Sequence, residues 1–425
     1  MGILCRGLLA SLRWARPLHT RPRRGDDVTH TPAITKLADP YRWTALALAT
    51  WAQVAGCFLM QGLGALGPQM QRAMGLNAAK IGLLSSSAQL APIIGLLVAG
   101  ELLDRFSERL IVGLGAAMVS ASIFAASRAE SYTALLACLV VASIGYSSVQ
   151  PGGGKAVASW FAPNQRGLAM GVRQAGLPLG AALGTLILPA VAQLRDWRGA
   201  FALGALVALL GGLSFAALYR APAEGAPRLA EFPPLSERLA LLRLPGMRRI
   251  LLPGVTLVSL QFALSVYLPL DVRDRFALPA ETGVAALFAA QAAGAVGRIV
   301  LAFWSDHSDH GRYFPLQASM AALVAGTAAY VALPAASPAL LYALALWLGF
   351  FGFGWYGPWI ALVSETAPPG RIGFMIGLVM AVNQIAVVLA PPLFGWLRDA
   401  SGSFVFGWLL LTAASAAALA ITRRG

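Results

Sequence analysis

The chain has 425 residues, 58% of them hydrophobic and only 12% charged, which is too much apolar surface for an ordinary soluble domain. A formal net charge of +14 would suit nucleic acid, but the basic residues cluster in loops and tails on one side of a run of apolar segments, and that pattern excludes a nucleic-acid partner. Cys5, Cys57 and Cys138 are too few and too scattered for a disulfide framework.

Apolar runs long enough to cross roughly 30 Å of hydrocarbon recur twelve times, centred near residues 54, 92, 118, 145, 180, 208, 260, 292, 323, 350, 384 and 412. Ahead of them, residues 1–41 are Arg-rich, with six arginines before the first acid, Asp26. They read as a basic cytoplasmic tail; a transit-type presequence or an over-long start are the alternatives. The first span carries Gln53 and Gln61, and the second carries Ser85, Ser86, Ser87 and Gln89.

The stretch Gln150–Gly184 is apolar enough to cross twice, yet holds Lys155 and Arg173 within its apolar runs. At about 100° per residue, Val172, Leu179, Leu183 and Leu186 form a stripe well round the helix from Arg173. Gly180 and Gly184 fall within about 20° of Arg173 itself. The ladder Gly176, Gly180, Gly184 lets membrane helices approach closely, so Arg173 is expected to point into protein or a wet cavity. A mid-span arginine costs about 2.5–3.5 kcal/mol on insertion scales and is therefore a functional candidate; a structural arginine bonding carbonyls is the bland alternative.

The second span ends in Gly100-Glu101-Leu102-Leu103-Asp104-Arg105-Phe106-Ser107-Glu108-Arg109. This loop resembles the signature of the major facilitator superfamily, with Ser107 where a glycine is usual and Glu108 where a basic residue is usual. A weaker second copy, Gly297 to Asp306, follows the eighth span. Asp104 and Asp306, the elbows at Ala162 and Ala367, and Leu194-Arg195-Asp196 with Leu397-Arg398-Asp399 are three pairs all about 200 residues apart, which makes a tandem six-span repeat the economical reading. The resemblance implies an all-α membrane protein of twelve transmembrane helices in two pseudo-symmetric six-helix bundles, residues 42–218 and 250–425. A Pro- and Arg-rich cytoplasmic linker over 219–249, with a short helix at 235–244, would join them. It also implies a secondary active transporter working by alternating access, with Gly100, Asp104, Arg105, Arg109 and Asp306 latching the cytoplasmic ends.

Other chemistry finds little support. Gly152-Gly153-Gly154-Lys155 lacks the spacing and the Ser/Thr of a phosphate loop. The run Asp306 to His310 reads as a solvated loop rather than a metal site, and every histidine falls in a tail or loop, so neither cofactor nor enzyme activity is expected. The intramembrane charges decide more. Lys155, Arg173 and Arg298 are cationic, and no Asp or Glu falls in the middle of a span. An inward cationic set without carboxylates needs a counter-anion, and a transported anion is the simplest one. The expected cargo is a small organic anion, a carboxylate, held chiefly by Arg173 and Lys155. Gln150, Gln174, Gln53 and Tyr146 are expected to supply hydrogen bonds, with Arg298, Gln291, Tyr356, Trp359 and Asn383 as the facing wall. The segment from Trp160 to Gly171 is similar to superfamily branches that carry monocarboxylates, oxalate, cyanate or nitrate. A coupling proton or counter-anion, a lipid bilayer and a monomeric state complete the expectation. The predicted location is the cytoplasmic membrane, with both termini inside. An exporter of neutral or cationic amphiphiles is the alternative within the class, and a non-transporting membrane receptor the alternative outside it.

Overall fold

The computed structural model describes residues 40–161, 163–222, 246–309, 311, 313–333, 337–367 and 372–423; side chains at 97, 100, 101, 104, 163–168 and 372–374 fall outside that description. Residues 1–39 of the predicted tail, the linker helix at 235–244 and the elbow residues Ala162 and Pro368–Arg371 lie outside the described residues; Tyr41, assigned to the tail from sequence, opens the first helix.

Eleven helical stretches are long and apolar enough to cross a membrane. One of them, Ala169–Leu218, is two spans: Arg195 and Asp196 leave helical geometry within it, Asp196 at a φ of 58°. The Asp196 carboxylate accepts from the Arg198 and Gly199 amides at 2.7 and 3.3 Å and so restarts the sixth span. The twelve spans of the sequence reading are therefore all present. In order, the remaining ones are Tyr41–Met74, Ala78–Leu96, Glu108–Ser127, Tyr132–Trp160, Met247–Phe276, Ala280–Asp306, Tyr313–Ala332, Pro338–Thr366, Met375–Ser401 and Val405–Arg423. Caps begin several of them: the Asn77, Ser107 and Ser131 side chains accept from amides three residues on. Ser107, out of place in the family signature, thus starts the third span.

Four spans are interrupted. The first breaks at Gln61, between Tyr41–Met60 and the short turn Leu63–Leu66. The second breaks between Ala78–Ser87 and Pro92–Arg105, the fourth between Tyr132–Tyr146 and Val149–Trp160, and the tenth at Trp355, between Pro338–Gly354 and Tyr356–Thr366. The Gly- and aromatic-rich sequence of the tenth span predicts that break.

Close approach is built from small residues. A Cβ on Gly180 would lie 2.3 Å from the Val54 carbonyl oxygen, and one on Gly184 1.9 Å from that of Phe58, so the fifth span packs directly on the first. Leu179 and Leu186 face outward, as the helical stripe predicts, and so do Val296, Val300 and Phe303 on the eighth span. The first six spans pack mainly among themselves, as do the last six. The fifth against the eighth, and the second against the eleventh, form the main seams between the halves.

With twelve crossings, Tyr41 and Arg423 lie on one side. On the opposite side the seam is sealed. The Asp399 carboxylate accepts from the Ala78 and Ala79 amides at 3.2 and 2.9 Å, at the N-terminus of the second span. The Tyr267 hydroxyl donates to the Pro391 and Ala78 carbonyls, and the Arg273 guanidinium donates across the seam to the Gln71 side chain at 2.9 Å. Nearby, Asp271, read from sequence as a span-end residue, is fully buried and receives the Tyr330 hydroxyl at 2.6 Å and the Trp408 indole at 2.9 Å.

Candidate substrate site

Between the halves runs a set of connected chambers. The widest, about 400 Å³, is walled by the second, fourth, fifth, tenth and eleventh spans and includes Gln150, Lys155, Arg173, Gln174 and Tyr356. A second, about 220 Å³, adds Arg298 and reaches the span end at Asp306, on the side of the termini. A third, about 100 Å³, lies deeper toward the sealed side and contains Tyr146, Gln150, Arg298, Tyr356 and Asn383. Tyr356 belongs to all three.

Arg173 is 1% exposed. Its guanidinium donates to the Gln53 side chain at 3.0 Å, to the Val149 and Gln150 carbonyls at 3.0 and 2.8 Å, and to the Gln150 side chain at 3.4 Å. Its Nε has no partner. Gly153 makes this possible, because a Cβ there would sit 2.6 Å from that Nε. Arg298, on the other half, donates to the Phe353 and Gln174 carbonyls at 3.1 and 3.0 Å, and its guanidinium lies 5.2 Å from the centre of the Tyr356 ring. Among the described residues no carboxylate lies in ion-pair contact with either guanidinium. Two buried cations from opposite halves therefore line adjoining chambers that share Gln174 and Tyr356, each held by carbonyl, amide and aromatic groups.

The other predicted site residues divide. Gln150, Gln174, Tyr146, Tyr356 and Asn383 line the chambers. Gln53 is fully buried behind Arg173, accepting from it and donating to the Cys57 thiol, so it supports the arginine and does not face the cavity. Three placements correct the sequence reading. Lys155 lines the wide chamber but is not free of carboxylates: it pairs with Glu108 at 3.4 Å and donates to the Leu103 carbonyl. Glu108 opens the third span beside the fourth, which sequence spacing did not reveal. Gln291 is buried at the seam of the fifth and eighth spans, where it accepts from the Thr185 hydroxyl at 2.7 Å, and is absent from all three chambers. Trp359 is also buried away from them, its indole donating to the Ile250 carbonyl at 2.9 Å.

Among the latch candidates, Gly100 and Asp104 lie on Pro92–Arg105 with side chains outside the description. Arg105 is exposed, and Asp306 lines the chamber mouth. Arg109 donates to the Ala216 and Ala217 carbonyls at 2.6 and 3.2 Å, closing the end of the sixth span within its own half. It does not latch one half to the other here.

The sequence reading left Gln61, Gln89 and Gln261 out of the site, along with Ser147 and Trp355, yet all line the deepest chamber with Gln384, which stands next to Asn383 in the eleventh span. The usable signal was an amide at mid-span in an otherwise apolar run. Four of the six, Gln61, Gln89, Ser147 and Trp355, sit at the breaks in the first, second, fourth and tenth spans. Irregular backbone at membrane depth is tolerated where it lines a cavity.

Comparison with known proteins agrees with this architecture. The chain is 26% identical over 372 residues to an uncharacterised MFS-type transporter of Mycobacterium tuberculosis, covering 87% of this chain and 82% of that one. It is 24% identical to the hexuronate transporter of Bacillus subtilis (81% and 85% covered) and 27% identical to a probable nitrate/nitrite transporter of Mycobacterium tuberculosis (89% and 95%). It shares its fold with a bacterial homolog of the human lysosomal transporter Spinster, solved in an inward-facing, occupied conformation. The TM-score is 0.70 at 14% identity, over 91% of this chain and 98% of the other. The Major Facilitator Superfamily profile matches residues 46–391. The protein is a multi-pass membrane transporter, and its chain belongs to the Major Facilitator Superfamily.

Proposed function

We propose that the protein carries a small organic anion, a carboxylate, across the membrane by alternating access, with Arg173 and Arg298 gripping it from opposite halves. The observation that carries this reading is the pair of buried guanidiniums lining adjoining chambers between the halves, neither in ion-pair contact with a carboxylate among the described residues. Such cations favour an anion strongly, because a buried charge is stabilised by a hydrogen-bonded counter-charge. Relatives named for hexuronate and for nitrate/nitrite support an anionic cargo. Lys155, tied to Glu108, serves the mouth of the path rather than the grip. Two buried cations count against neutral or cationic amphiphiles.

Under this reading the sealed side is extracytoplasmic, the termini are cytoplasmic, and the conformation is open inward, in the cytoplasmic membrane. The excess of Lys/Arg on the side of the termini supports that orientation. Movement of the halves about the two seams would break the Asp399 contact and the Arg273–Gln71 bond and close the mouth near Asp306. Two bundles at 42–218 and 250–425, acting as a monomer, suit such rocking.

A thermal-shift panel tests the reading. Ligand at a hundredfold excess over its Kd stabilises the native state by about 2.7 kcal/mol. Carboxylates are expected to raise the Tm of the wild type and not of Arg173→Gln. A rise produced only by organic cations, equal in both proteins, would overturn the proposal.

A further inference from the structure

The deepest chamber is lined by six side-chain amides, those of Gln61, Gln89, Gln150, Gln261, Asn383 and Gln384. Gln89 and Asn383 are 3% and 6% exposed, so packing fixes much of this wall. A side-chain amide carries both donors and an acceptor, so a chamber walled by six of them suits a ligand group that also does both.

The surrounding backbone holds these groups in place. The Gln384 side chain donates to the Gln89 carbonyl at 2.7 Å, tying the break in the second span to the eleventh. The Asn383 amide lies against Gly254, where a Cβ would fall 2.6 Å from Oδ1. The Trp355 indole donates to Gln261 Oε1 at 3.2 Å.

The chemistry of the missing ligand follows. A nitrate or a bare carboxylate offers only acceptors and does not serve the amide oxygens; an alkyl tail pairs neither the oxygens nor the N–H groups. A hydroxyl both donates and accepts. The chamber, about 100 Å³, takes a short chain, and it meets the wide chamber at Gln150 and Tyr356, beside the guanidiniums. Resting on the anion reading above, we propose that this chamber is a hydroxyl-binding subsite and that the cargo is a polyhydroxylated carboxylate, its carboxylate at Arg173 and Arg298 and its hydroxylated tail among the amides. This separates the two kinds of anion named for the relatives, and it favours the hydroxylated one.

Equilibrium binding to the purified full chain tests the proposal, with gluconate, galactonate and glucuronate set against hexanoate and nitrate. At least one hydroxylated acid is expected to bind the wild type about tenfold or more tightly than hexanoate or nitrate, since a site built to bond a hydroxyl rejects the analogue lacking it by large factors. Asn383→Leu, close in shape, is expected to remove most of that advantage, with a monodisperse size-exclusion peak reporting that the variant is folded. Gln89→Leu gives the same test from the other side of the chamber. Hexanoate or nitrate binding as tightly as the hydroxylated acids, or hydroxylated-acid affinity unchanged in both variants, overturns the subsite and leaves the anion reading standing. Failure of every anion to bind overturns both.

Discussion

A guanidinium presents five N–H donors in a fixed fork, and the protein answers those of Arg173 with one glutamine side chain behind it, two main-chain carbonyls and a second glutamine beside it. That arrangement holds the group rigid without neutralising it. Gln53→Leu removes the buried acceptor and is expected to lower stability by about 1–3 kcal/mol, read as a fall in Tm of the ligand-free protein. Lys155 stands in a different position, its side chain 29% exposed and already paired with Glu108. Exposed pairs contribute about 0–1 kcal/mol, so Lys155→Gln is expected to change anion affinity by no more than a few-fold in equilibrium binding. A hundredfold loss would restore Lys155 to the grip. Arg173 and Arg298 were legible as inward residues because the lipid-facing stripes beside them have helical period. The pairing of Lys155 was not, because nothing in sequence spacing brings the start of the third span to the fourth. Gln261 was missed for a related reason: one amide in an apolar run carries no directional signal until its neighbours are known.

All four interrupted spans contribute to the cavity wall, beside unbroken ones such as the fifth and the eleventh. The fifth span owes its place to glycine, since side chains at Gly180 and Gly184 would collide with main-chain oxygens of the first. Gly184→Leu is accordingly expected to disrupt the folded protein, seen as loss of a monodisperse peak in size-exclusion chromatography, whereas Leu186→Ala on the exposed stripe should elute as wild type. Ser107→Ala removes the cap of the third span and is expected to cost about 1 kcal/mol, measured as a small fall in Tm. The break in the tenth span was legible from its Gly-rich aromatic run. The breaks at Gln61, Gln89 and Ser147 were not, since their local sequences continue a helical pattern and the interruption depends on partners such as Gln384 and Ser143. Tertiary contacts, rather than propensity, decide those positions.

At the scale of the whole molecule, repeat spacing and the apolar runs were enough to anticipate twelve crossings and two related halves. They gave no account of which side is closed. The structure seals the side opposite the termini with the Asp399 carboxylate on the start of the second span and the Arg273–Gln71 bond. Asp399→Asn weakens the charge–dipole contact, commonly about 0.3–1 kcal/mol, and is expected to raise the reactivity of a cysteine placed at Gln261 toward an impermeant thiol reagent applied from that side. Unchanged labelling would mean that other contacts hold the seal. The central claim, that one anion is gripped by two arginines from opposite halves, is tested most directly by a double-mutant cycle. The affinity of wild type, Arg173→Gln, Arg298→Gln and the double variant would be measured for a carboxylate shown to bind. Removing one partner of a buried, hydrogen-bonded charge pair costs about 2–5 kcal/mol, so each single variant is expected to lose roughly thirtyfold or more, and the double variant less than the product of the two. Wild-type affinity in Arg298→Gln, or strict additivity, would contradict a shared carboxylate.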